Sequence, residues 1–242
     1  MMELKMTGAN MVKRFAALLL LLAVGAIFLA LLVGYVPDPE LNSTARYYAD
    51  HTAQDIGSAN IVTAIVVTYR GLDTLGEVTV LFLAAAILGL VLARDQRQYQ
   101  AKRERVPVGE LLTTGSGILV PLIMLLGVYV FVNGHLTPGG GFQGGAIIAS
   151  GVLLMLLADP QKHFAHTLIA TVESLAGIFY VAIGLLGLFL AGGFLDNRFL
   201  PTGELGALIS AGAIPLIYSL IGLKVGAEFS TVLANLSETE EL

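Results

Sequence analysis

Six charged side chains stand inside or at the rim of long apolar runs. Arg70, Asp73 and Glu77 lie in "YRGLDTLGE", Glu173 lies in a later run, and Lys224 and Glu228 lie in "GLKVGAEFS". Ionisable groups at membrane depth are costly and are usually paired or functional. Their spacing puts Arg70, Asp73 and Glu77 on one helical face. Arg70 can neutralise one carboxylate there and leave another to bind a cation or a proton. The alternative is a salt-bridged, partly wet helix end. Lys224 and Glu228 are four residues apart, and a last helix ending near Leu233 would put Lys224 roughly 14 Å inside, at about 1.5 Å per residue. Glu173 starts from the same side, two turns into the fifth run. One lysine between two carboxylates would form a buried network with one excess negative charge, suited to proton or ion coupling. The alternative is snorkelling of Lys224 to the interface.

A second constellation is backbone chemistry. "FVNGHLTPGGGFQGGAIIASG" (Phe131–Gly151) packs Gly134, His135, Pro138, Gly139, Gly140, Gly141, Gly144 and Gly145 between apolar flanks. Asn-Gly and Pro-Gly are turn signals, so Asn133–Gly141 is expected to be non-helical. Such backbone at membrane depth is tolerated only when buried in protein or lining a wet cavity. The glycines also permit close approach of a neighbouring helix or subunit. His135 either titrates near neutral pH or hydrogen-bonds the loop.

Other chemistries are missing. The chain has no cysteine, which excludes disulfides, thiol catalysis and iron–sulfur ligation by this chain. Its histidines (His51, His135, His163 and His166) show only a weak His-x-x-His spacing, and no metal site is expected. No P-loop, dinucleotide fingerprint, nucleophile elbow or catalytic triad occurs. The chain by itself is therefore not expected to be an enzyme, to carry a cofactor or to bind nucleic acid.

The elements that must position these residues follow from composition and run length. The 242 residues are 56% hydrophobic and 13% charged, against about 25% charged in soluble domains. The expected class is an all-α integral membrane protein. A span needs about 20 apolar residues, and six runs qualify: Phe15–Tyr35, Leu75–Ala93, Gly115–Val132, Gly144–Ala158, Leu168–Ala191 and Leu205–Leu233. The first is expected to be a retained anchor, because it exceeds a signal peptide's apolar core of about 7–15 residues and lacks a small-x-small cleavage site. Ile56–Tyr69 is too short to span and suits a re-entrant or lateral helix. Lys5, Lys13, Arg14, the basic residues of Arg94–Arg105 and Lys162 would lie inside, against Arg46, Arg70 and Arg198 outside. That places both termini in the cytoplasm.

"GHLTPGGGFQGGAI" (Gly134–Ile147), followed by further spans, resembles the B subunit (MnhB) of multi-subunit Mrp-type cation/proton antiporters. It also resembles the equivalent subunit of membrane-bound hydrogenases and sulfur reductases. This resemblance covers about Pro107–Leu236. "GSANIVTAIVVTYRGLDTLGEVTVL" (Gly57–Leu81) resembles the C-terminal part of the Mrp A subunit, a small separate subunit in the hydrogenase relatives. The chain thus resembles a fusion. Its expected parts are a two-span part (residues 1–100), a basic cytoplasmic linker (101–106) and a four-span part (107–242). In that family an arginine and a glutamate associated with cation exchange fall on Arg70 and Glu77. Leu72 stands where the family commonly has phenylalanine. "GLKVGAE" (Gly222–Glu228) is closer to the hydrogenase-type relatives.

The resemblance implies a prokaryotic plasma-membrane subunit that helps to form a sodium pathway. Sodium and protons would be the transported ions. Other Mrp-like membrane subunits would be partners, including the large antiporter-like ones, with hydrogenase or sulfur reductase subunits in a redox-driven host. The alternative is a scaffold that only packs antiporter subunits together. A self-contained transporter is disfavoured, since no pair of interrupted helices marks an inverted repeat.

Overall fold

The computed structural model describes residues 2–35, 40–96, 109–159 and 165–240. The expected linker 101–106 lies outside them, as do Arg97, Lys102, Arg103, Arg105, Lys162 and His163. The chain divides into two compact units, Met1–Ala45 and Arg46–Leu242. The first holds α1 (Met2–Gly34), whose apolar stretch Lys13–Gly34 is long enough to cross a membrane. It also holds the start of α2 (Ser43–Asp55), where the Asn42 side chain accepts from the Ala45 N–H at 2.8 Å.

The second unit continues with α3 (Ile61–Ala64), which runs into a π-turn at Ile65–Tyr69. Then come α4 (Gly71–Gln96), α5 (Glu110–Val132), α6 (Gly141–Ala158), α7 (His166–Leu190) and α8 (Ile214–Glu240). Among the described residues six helices, α1 and α4 to α8, are long and apolar enough to span. No strand occurs among the described residues.

The core is built around α8, which packs against α4, α5, α6 and α7. Ile214, Ile217, Ile221, Val225 and Glu228 form its buried stripe, spaced three or four residues apart so that they share one face. Glycines let α6 sit unusually close. A β-carbon on Gly145 would stand 2.8 Å from the Gly226 nitrogen, and one on Gly144 would stand 2.7 Å from the Gly127 carbonyl oxygen of α5. Any side chain there would meet backbone, which cannot step aside.

Several expected boundaries move. The second span begins at Gly71, not Leu75, because the π-turn ends at Arg70 and restarts the helix immediately. The fourth begins at Gly141, so the last three glycines of the motif are helical. The sixth loses Leu205–Ala213, which is apolar but folded as turns, and extends to Glu240. Hydropathy cannot distinguish an apolar turn from a span. Ile56–Tyr69 is a loop, a single α-turn and a π-turn, too short to cross. The polar α2 has no counterpart in the apolar-run reading, which counts only spans.

Candidate functional site

Lys224 sits near the middle of the α8 span Ile214–Ser237. It is deeper than a helix ending at Leu233 would make it. Its ammonium donates to Glu228 Oε1 at 2.7 Å and lies 4.0 Å from Glu173 Oε1 on α7. The Glu228 side chain is 0% exposed, that of Lys224 11% and that of Glu173 17%. Lys224 does not snorkel. Its Nζ also stands 4.8 Å from the centre of the Phe82 ring on α4, a cation–π geometry that further holds the charge in place. Phe82 is absent from the residues singled out in the sequence, where no signal sets it apart from other apolar α4 positions.

A cavity of about 680 Å³ opens between α4 and α7. Thr79 and Phe82 of α4, Glu173, Ser174 and Tyr180 of α7, and Lys224 of α8 line it. The three helices thus bring Glu173, Lys224 and Glu228 together.

The other charged group divides. Arg70 Nη2 meets Asp73 Oδ2 at 2.5 Å, with both side chains more than half exposed. Glu77 is exposed and within electrostatic reach of Tyr180. It lies five residues before Phe82, about 7.5 Å along α4 at about 1.5 Å per residue. Arg70, Asp73 and Glu77 are not among the residues that line the α4–α7 cavity.

The glycine motif has a different role from the charges. Its loop, residues 133–140, is clamped by Ser58 and Asn60, just before α3, and by Thr63 within it. Asn60 Nδ2 donates to the carbonyls of Gly134 and Thr137, both at 2.9 Å. Ser58 Oγ donates to the His135 carbonyl at 3.0 Å, and Thr63 Oγ1 to that of Gly134 at 2.6 Å. Tyr218 of α8 donates to Thr63 Oγ1 at 3.2 Å. The Gly134, His135 and Thr137 carbonyls are thereby satisfied inside the protein, as a membrane requires. Pro138 sits in this loop, and Gly139 and Gly140 take φ of +142° and +158°. A β-carbon on Gly139 would stand 2.9 Å from Val130, and one on Gly140 3.0 Å from the Tyr218 ring. Their close neighbours lie within this chain.

His135 is fully buried, and neither ring nitrogen finds a hydrogen-bond partner of ordinary geometry among the described residues. Burial pushes its pKa down, only partly offset by the nearby backbone of Ala207, Leu208 and Val132. The loop is held through the histidine's carbonyl and not through its ring. Asn60, Ser58 and Thr63 are site residues that sequence reasoning missed. They lie inside the quoted Gly57–Leu81 motif, but nothing local shows that they serve a loop more than seventy residues away. Among the described residues, no group of three or more His, Cys, Asp or Glu side chains is arranged to hold a metal ion.

Six candidate spans among the described residues, five of them in the unit that holds the internal charge cluster, define a multi-pass α-helical membrane protein. Residues 111–231 match the family described as a domain related to the MnhB subunit of Na+/H+ antiporter. Residues 12–108 match the MbhE family, described as the E subunit of MBH. The chain belongs to the MnhB-related family. An uncharacterized protein of Methanocaldococcus jannaschii is 32% identical over 71% of this chain and 74% of its own length. A chain of the membrane-bound sulfane sulfur reductase, an archaeal respiratory membrane complex, superposes with a TM-score of 0.77 at 42% identity, over 93% of this chain and 98% of that one. A chain of the Mrp complex from Dietzia sp. DQ12-45-1b superposes at 0.72 with 28% identity; the match covers 93% of this chain but 26% of the Dietzia chain.

Proposed function

We propose that this protein is a membrane subunit of a multi-subunit cation/proton antiporter module and that its internal charges line part of the ion path. Sodium and protons are the ions in this reading. The single observation that carries it is the Lys224–Glu228–Glu173 cluster at mid-span, with Glu173 and Lys224 in the wall of the α4–α7 cavity. An ion crossing lipid needs polar stations, and charge at such depth costs at least about 2.5 kcal/mol at a helix centre. Arg70, engaged by Asp73, leaves the Glu77 carboxylate available.

The partners in this reading are other Mrp-like membrane subunits, including large antiporter-like ones. The likeness to a sulfur reductase chain over nearly its whole length favours a redox-driven host over a free-standing antiporter. Redox chemistry would belong to other subunits, and this chain by itself is not an enzyme. The two family matches end and begin between residues 108 and 111, which supports reading the chain as two joined parts, 1–100 and 107–242. The surplus of basic residues on one side supports cytoplasmic termini in a prokaryotic plasma membrane.

The test is sodium-driven pH change in inverted vesicles containing the whole complex at matched subunit levels. Glu77→Gln lowers the rate without loss of assembly, since the amide keeps the shape and removes the charge. Glu173→Gln acts more weakly, because Glu228 is the nearer partner of Lys224. Wild-type rates for both across a sodium titration would overturn the pathway reading in favour of a packing scaffold.

A further inference from the structure

α4 and α7 each pack on α8, which forms the floor of the cavity between them. Leu75, Val78 and Phe82 make the α4 wall of this slot, and Ile178, Val181 and Leu185 make the α7 wall. Both sets run at intervals of three and then four residues. Each ridge is roughly 10 Å long at about 1.5 Å per residue, and the slot between them suits the i, i+3, i+7 anchors of a helix laid in a groove. Gly177 keeps the α7 wall low. A β-carbon there would meet only the Lys224 side chain, at 3.7 Å or more. Small residues at such a place let a neighbouring helix approach closely.

Apolar surface towards lipid implies no partner by itself, since acyl chains cover it as well as a helix does. The charge in the wall is what lipid cannot cover. Among the described residues Glu173 has no nearer ion-pair partner than Lys224 at 4.0 Å, and that ammonium is already engaged by Glu228 at 2.7 Å. Two carboxylates thus share one ammonium. A carboxylate in an otherwise apolar wall needs a donor or a counter-charge, and acyl chains offer neither. The apolar stretch of α1 beyond Arg14 carries no side-chain donor either.

We propose that the α4–α7 slot is the docking site for a membrane-spanning helix of a neighbouring subunit, which brings one lysine or arginine to Glu173. Its apolar side chains fill the space of about 680 Å³ between the two ridges. Its basic group balances the second carboxylate, and a buried charge needs such a partner to be tolerated. The chemistry fixes the kind of helix: an apolar span with a basic residue at the depth of Lys224. The proposal rests on the reading of this chain as one subunit of a membrane complex, not on the ion path, and adds the face that a neighbour takes.

The test places photoreactive p-benzoylphenylalanine at Ile178 or at Leu185, both exposed in the slot, and at Phe179, exposed but outside it, in the whole complex. Both slot positions are expected to join the same span of one neighbouring subunit, and mass spectrometry of the joined peptides is expected to find a lysine or arginine in that span. Position 179 is expected not to join it. Products from the slot with lipid alone, with this chain itself or with nothing overturn the docking site, as does a joined span without a basic residue. A second arm reads the charge. Glu173→Lys sets like charges together and is expected to lower retention of that neighbour on native gels by about tenfold, while changing the neighbour's basic residue to glutamate restores it. Unchanged retention overturns the pairing. Should the Glu173 variant fail to accumulate, Val181→Trp fills the slot instead and is expected to displace the neighbour, whereas Phe179→Trp leaves it bound; equal retention in these two overturns the docking site. Both arms are read without transport, so their failure is separable from unchanged transport in Glu77→Gln and Glu173→Gln.

Discussion

Lys224 and Glu228 stand one turn apart on α8 with 2.7 Å between Nζ and Oε1, and the glutamate side chain is wholly enclosed. Removing one member of such a pair strands the other charge, which typically costs about 3–5 kcal/mol, whereas replacing both with apolar or neutral groups is often close to neutral. Lys224→Met is therefore expected to lower the melting temperature and yield of the complex sharply. Lys224→Met combined with Glu228→Gln recovers most of the loss. A double variant as unstable as the single one would mean that Glu228 is not the charge Lys224 balances. Thermal unfolding of the purified complex, followed by subunit retention, is the measurement.

Gly145→Ala sets a β-carbon 2.8 Å from both the Gly226 nitrogen and the Val225 β-carbon. Overpacking against backbone costs about 1–3 kcal/mol. Gly117→Ala on α5 meets nothing within 4 Å, and removing a mid-helix glycine stabilises by roughly 0.5–1 kcal/mol. The two substitutions are expected to move the melting temperature in opposite directions.

Asn60→Ala removes its donor from the Gly134 and Thr137 carbonyls; Gly134 keeps Thr63 Oγ1, whereas Thr137 loses its side-chain partner. An acceptor left unpaired costs about 1–3 kcal/mol. Backbone amides of residues 133–140 are expected to exchange faster with deuterated solvent, while those of α8 keep their protection. Unchanged exchange in the loop would show that Asn60 does not hold it.

His135 lies between spans, and burial holds its pKa below the ordinary value. At a pH between its lowered folded value and about 6.5, the unfolded chain binds the proton more readily, so stability rises with pH there. Loop protection and complex stability are therefore full above about pH 6.5 and decline as pH falls towards the folded value. His135→Gln, which cannot titrate, is expected to flatten that decline. Melting temperatures of both forms from pH 7.5 down to 5 supply the comparison; equal slopes would remove His135 as the source.

Much of the site was legible in the residue order. The Lys224/Glu228 spacing belongs to a single helix, and a four-residue interval implies contact wherever that helix forms. Pairing Glu173 with them was readable only as a shared depth on the same side. Arg70 was legible as a partner for one of two carboxylates, and the break at the π-turn, which sets Arg70 outside α4 and Asp73 in its first turn, decides which. Leu205–Ala213 misled because its apolar residues belong to a turn, not a span: Leu205, Leu208 and Ile209 are exposed and only its end is buried. Ser210, Ala211 and Ala213 are packed in a turn, with Ala211 at φ +61°, and Asn197 donates to the Ala211 and Ile56 carbonyls.

From its sequence alone, this protein's class, number of spans and interrupted glycine motif could be derived, because each depends on local hydropathy and local backbone freedom. Tertiary structure alone decided what satisfies that interruption and what the charges face. Asn60 must cross from another segment to reach Gly134 and Thr137, and Phe82 must come from α4 to lie beneath Lys224. Hydrogen bonds and ion pairs act over about 3–4 Å, whereas these residues lie more than seventy positions apart along the chain. Only the packing of α4, α6 and α7 around α8 brings them within that range.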